Sequence, residues 1–124
     1  MWKPETTIKT GRHRKALRVG SKILNKMKKV LVQFNFPGMK AEQYDQVWED
    51  LEAAGHTNPK GLVHHVGAPS ADGWLVVDVW ESREHFNEFG KTLIPLLKKN
   101  RVPETEPLIT PLHFVYNGSH VEIY

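Results

Sequence analysis

The spacing of hydrophobic positions switches along this chain between every second residue and every third or fourth, and the switches delimit its elements. The segment "VLVQFNF" (30–36) alternates, is rich in β-branched and aromatic residues, and stops at Pro37-Gly38, which predicts a strand. Val30, Val32, Phe34 and Phe36 share one face, and Leu31, Gln33 and Asn35 share the other. The first face is pure core; the second is mixed and meets water or a polar cavity. From Ala41 the spacing becomes helical. Ala41, Tyr44, Val47, Trp48 and Leu51 line one side, Glu42, Asp45, Glu49 and Glu52 form a solvated acidic side, and Gly55 is the expected stop. Two strands follow at about 62–67 and 74–81, joined by "APSADG" with its Asp-Gly hairpin signal. Ser82 then caps a second helix by accepting a bond from a first-turn N–H. Phe86, Phe89, Leu93, Leu96 and Leu97 extend it to about Lys98, with Pro95 kinking or dividing it. The proline-rich "NRVPETEPLITP" reads as an irregular crossing and "LHFVYN" (112–117) as the last strand.

This β-α-β-β-α-β order predicts an α+β, ferredoxin-like plait: an antiparallel sheet with both helices on one face. A second copy is the obvious cover for the other face, so a homodimer with sheets packed face to face is expected. On the third strand Leu75, Val77 and Val79 make a clean apolar face, the natural partner for the helices, while Trp74, Val76, Asp78 and Trp80 point away. A hairpin turning about Ser70–Ala71 sets residue 65 opposite 76. That places His65 among Trp74, Asp78 and Trp80; a one-residue slip would substitute His64. With Gln33, Asn35, and His113 or Tyr116 from the last strand, the non-helix face collects aromatic walls and a few convergent polar groups, the make-up of a small-molecule cavity. The same residues equally fit a plain dimer interface containing a satisfied His–Asp contact, and the sequence leaves both readings open. Adjacent strand residues project to opposite faces, so His64 and His65 cannot chelate one metal ion. The other histidines show no ligand spacing, and no metal site is expected.

Composition narrows the picture further. At 124 residues the chain is sized for one domain, and without cysteine it can form neither disulfides nor thiolate sites. It contains no apolar run approaching the roughly 20 residues of a membrane span. An N-terminus with no apolar signal region makes the cytoplasm the expected compartment. The net charge of +3 conceals an asymmetry: residues 1–29 carry ten Lys/Arg against one acid, and the remainder carries seven against thirteen. Residues 1–27 are therefore expected to be a disordered basic extension, 28–118 the folded domain and 119–124 a tail. The extension reads as an upstream addition ahead of Met27, as an arm for nucleic acid or anionic surfaces, or as a transit-like segment. The acidic domain itself argues against nucleic acid binding.

The stretch "VVDVWESREHFNEF" (76–89) resembles the W-x-S-x-x-x-F signature of the antibiotic biosynthesis monooxygenase family, within the dimeric α/β-barrel superfamily. Trp80, Ser82 and Phe86 carry the resemblance, with Asn35 on the first strand in support. It implies a dimeric α/β barrel with a pocket and an activity ranging from cofactor-independent oxygenation of polyphenols to haem breakdown. In haem-degrading relatives a first-strand Asn and the motif Trp line the pocket, matching Asn35 and Trp80, and a histidine on the second helix holds the haem. This sequence has Gly90 and Lys91 there, so haem is not expected, nor any other cofactor. The chemistry then expected is oxidation of a small phenolic molecule. His65 acts as base, since imidazole titrates at about 6.5, with Asp78 as its orienter. Asn35 or Gln33 donates to the oxygen that gains charge, Trp74 and Trp80 stack on the substrate, and His113 and Tyr116 complete the binding set. The alternative is a non-catalytic ligand-binding or dimerisation domain. Cavity volume discriminates, because ligand pockets measure about 300–1,000 Å³ and a hole below about 100 Å³ favours simple packing.

Overall fold

The computed structural model describes residues 28–116 and 118; the expected extension (1–27) and tail (119–124) lie outside the described residues. Strand β1 (Val30–Pro37), helix α1 (Ala41–Ala53), strands β2 (Leu62–Ser70) and β3 (Gly73–Trp80), helix α2 (Arg83–Lys99) and strand β4 (Leu108–Pro111) follow in the expected order. The strands form one antiparallel sheet in the order β2-β3-β1-β4. The fold is α+β and ferredoxin-like.

Local chemistry accounts for the element ends. Helix α1 closes on Gly55 at φ +89°, with the His56 N–H on the Leu51 carbonyl at 2.8 Å and the Gly55 N–H on that of Glu52 at 3.0 Å. These are the paired bonds of a left-handed glycine stop. Helix α2 starts at Ser82, whose Oγ accepts from the His85 N–H at 3.1 Å. It runs through Pro95 as a single element, with Lys98 and Lys99 in its last turn. Between β2 and β3, Ala71 and Asp72 make the turn, and Asp72 O accepts from the Gly38 N–H at 2.7 Å. Any side chain at Gly73 would strike the backbone of Phe36 and Gly38, which explains the glycine.

The faces of β2 and β3 are the reverse of the expectation, while β1 keeps its expected one, with Gln33 and Asn35 on the non-helix side. Val30, Val32, Phe34 and Phe36 pair with Trp80, Asp78, Val76 and Trp74, so all eight project to the helix side. Leu75, Val77 and Val79 lie on the open side with Leu31, Gln33 and Asn35. Both parities of β3 are apolar, and alternation alone cannot orient it. The deciding quantity is volume: the space beneath two helices takes the Trp80, Phe34 and Phe86 side chains, which are fully buried there.

The last strand also differs. It is Leu108–Pro111, inside the segment read as irregular, and residues 112–116 are coil. Strand β4 is an edge, where Pro111 can end a strand without breaking a ladder on both sides.

Candidate active site

Four polar side chains on the helix side form a continuous chain of hydrogen bonds. His65 is directly opposite Asp78 across the hairpin, two positions from the expected partner but on the same face. A bulge at Val63 allows both Leu62 and His65 to face the helices, and His64 is exposed, opposite Val79 on the open side. The His65 Nδ1 lies 2.6 Å from Asp78 Oδ1, and the Trp80 Nε1–H donates to Asp78 Oδ2 at 3.2 Å. Tyr44 reaches down from α1 and places its hydroxyl 2.6 Å from His65 Nε2. A carboxylate only accepts, so Nδ1 carries the proton of the neutral imidazole, Nε2 is an acceptor, and the Tyr44 hydroxyl donates to it. Asp78 is 5% exposed and Trp80 wholly buried. This buried carboxylate is held by two donors, and the ring it orients retains a solvent-accessible edge, the His65 side chain being 21% exposed.

Aromatic rings fix the set in place. Tyr44 stacks on Trp74 with ring centres 4.9 Å apart, Trp48 meets the His65 ring edge-on at 4.9 Å, and Trp80 packs on Phe86 and Phe89. Beneath Tyr44 sits Gly67, where an added Cβ would collide with the phenol oxygen. Burial pushes the Tyr44 hydroxyl above its ordinary pKa, and the negative charge of Asp78 acts in the same direction, outweighing a lowering contact from Trp48. Tyr44 therefore stays protonated and donates at neutral pH.

Next to this chain, between helices and sheet, is a cavity of about 40 Å³. Tyr44, Trp48, His65, Asp78 and Trp80 contribute to its wall, and the remainder is aliphatic and phenylalanine side chains with Met39. Of the expected site residues, His65, Asp78 and Trp80 come together under the helices rather than on the open face, and Trp74 adjoins them through its stack on Tyr44 without lining the cavity. Gln33 and Asn35 lie across the sheet from the cavity, because they alternate with Phe34. His113 and Tyr116 are exposed in coil beyond β4, Tyr116 at 79%, and neither lines the cavity. Among the described residues no group of three His, Asp or Glu side chains is placed to hold a metal ion. No described helix is long and apolar enough to cross a membrane.

Tyr44 and Trp48 are the members of the site that the sequence placed only on the apolar side of the first helix. The available signal was a hydroxyl on the apolar face of an amphipathic helix, which needs a partner once buried.

A ferredoxin-like sheet with a helix-covered histidine–carboxylate pair defines the class. No protein-family model matches the sequence, and no curated protein does. Solved structures do. A point mutant of SnoaB, a cofactor-independent oxygenase from Streptomyces nogalater, superposes with a TM-score of 0.51 at 14% identity, covering 72% of this chain and 96% of that one. A Deinococcus radiodurans protein provisionally assigned as an antibiotic biosynthesis monooxygenase gives 0.49 at 13% identity, covering 74% and 99%. A Streptomyces coelicolor monooxygenase in complex with the ligand nanaomycin D gives 0.42 at 18% identity, covering 76% and 95%. The chain thus shares the ferredoxin-like fold of SnoaB.

Proposed function

We propose that this protein is a small-molecule-binding, monooxygenase-like enzyme that oxidises an aromatic, phenolic substrate without a metal or organic cofactor, as a cytoplasmic homodimer. The observation that carries the reading is the His65–Asp78 pair: an imidazole oriented by a buried carboxylate, its second nitrogen bonded to a phenol. His65 Nε2 takes the substrate's hydroxyl proton, and Asp78 stabilises the imidazolium. The electron-rich ring then reduces dioxygen: one oxygen atom bonds to a ring carbon, the other leaves as water, and the ring ends as a quinone. The substrate is its own reductant. The apolar cavity of about 40 Å³ suits dioxygen but not an aromatic ring, so a resident side chain must yield to the substrate. Gln33 and Asn35 are too far around the sheet to assist, which leaves the imidazolium as the stabiliser of the developing oxyanion. The fold of a cofactor-independent oxygenase supports the reading.

Phenols and hydroquinones that raise the melting temperature are the compounds to assay for oxygen uptake without added cofactor. With such a compound, His65→Gln is expected to lower turnover by about 10²–10⁴ while ligand affinity is retained. Unchanged turnover would remove His65 from the mechanism.

The cavity volume favours a second reading, a non-catalytic ligand-binding or dimerisation domain whose polar chain is a satisfied core network. Oxygen uptake absent with every phenol that binds would select it.

A further inference from the structure

Tyr44 is itself a phenol seated on the base. Its ring stacks on Trp74 at 4.9 Å and its hydroxyl donates to His65 Nε2 at 2.6 Å. Gly67 leaves room for the oxygen of that hydroxyl, which a Cβ there would strike. The Trp74 indole N–H in the same stack is buried without a partner among the described residues, a donor that the resident ring leaves unused. We propose that Tyr44 is a displaceable plug: its side chain occupies the position of a phenolic ligand, and the ligand binds by replacing it, ring on Trp74 and hydroxyl on His65.

This deepens the reading above, on which it rests for the ligand class, and it adds a restraint on the site. Tyr44 lies one turn into α1 and is only half-buried, so the ring can leave toward solvent without unfolding the helix. The exchange is like for like: a hydrogen bond and an aromatic stack are lost and regained. Apparent affinity for a phenol is then reduced by the fraction of molecules in which the base is uncovered. The small cavity beside a large aromatic cradle follows, because the space for a ring exists but is filled by the protein's own.

The probes are p-cresol, which has the shape of the Tyr44 side chain, and toluene, which lacks the hydroxyl. Calorimetric titration is made on the wild type, Tyr44→Ala and Tyr44→Phe. Tyr44→Ala is expected to bind p-cresol at least tenfold more tightly than the wild type. Its preference for p-cresol over toluene is expected to be about three- to tenfold, one hydrogen bond's worth. Tyr44→Phe, whose plug lacks the bond to His65, is expected to fall between them. Toluene bound by Tyr44→Ala as tightly as p-cresol, or p-cresol bound no better than by the wild type, would overturn the proposal. If Tyr44→Ala fails to fold, Tyr44→Phe decides alone, and a p-cresol affinity no higher than the wild type counts against it. These are binding measurements, so they can succeed where no oxygen is consumed, and the oxygenase reading can fail independently.

Discussion

At the scale of single residues, the site depends on what one glycine leaves out. Gly67 has no positive φ to require it; its role is the space that the Tyr44 oxygen occupies. Gly67→Ala is expected to expel that hydroxyl, break its bond to His65, and lower stability by about 1–3 kcal/mol, as overpacking does. Chemical denaturation checks the stability, and nuclear magnetic resonance of the His65 ring checks the bond. His65, Asp78 and Trp80 were legible as sharing a face because opposite and diagonal strand neighbours do so whatever the sheet's orientation, whereas Trp74, opposite Pro69, adjoins His65 through Tyr44. Tyr44 was not, because its contact to His65 spans 21 residues and crosses from helix to strand.

Among the elements, the two helices are tied together at one end by polar groups. Asn100 caps α2 and donates from Nδ2 to Asp50 of α1 at 2.9 Å; Gln46 donates to the same carboxylate at 3.1 Å, and Lys99 lies 3.5 Å from it. Gln43 completes the tie by donating to the Asn100 carbonyl at 3.0 Å. These bonds, Asn100 foremost and then Gln46, hold the Asp50 carboxyl below the usual aspartate range. A lowered folded pKa means that the unfolded chain binds more protons, so this stabilisation is present above the ordinary value of about 4 and is lost as pH falls through the folded one. Asp50→Asn is therefore expected to flatten the acid limb of stability against pH, read as midpoint denaturant concentration between about pH 5 and 2. Helix positions and caps were readable because they are local. The bulge at Val63 was not, since "LVHHVG" carries no distinguishing residue and the irregularity exists only in pairing with β3.

For the molecule as a whole, the open sheet face presents exposed apolar side chains. Val66, beside Val77, and Leu108, beyond Gln33, are 50% and 57% exposed on it. A second copy covering that face would bury them, as the proposed homodimer requires. Val77→Lys is expected to raise the dimer dissociation constant by about 10²-fold or more, since an unpaired buried charge costs about 3 kcal/mol or more. Sedimentation equilibrium reads the change, and a wild type that is monomeric at high concentration would remove the dimer from the proposal.

The order of strands and helices, the helix stops, the cap at Ser82 and the sharing of one face by Trp74, Asp78 and Trp80 were determined by sequence alone, because each depends on spacing along a single element. Which face of β3 the helices cover, which of His64 and His65 joins that face, where the last strand lies, and the arrival of Tyr44 at His65 were decided only by tertiary structure. Both faces of β3 are hydrophobic enough to be buried, and the choice between them was made by the volume that two helices leave to be filled.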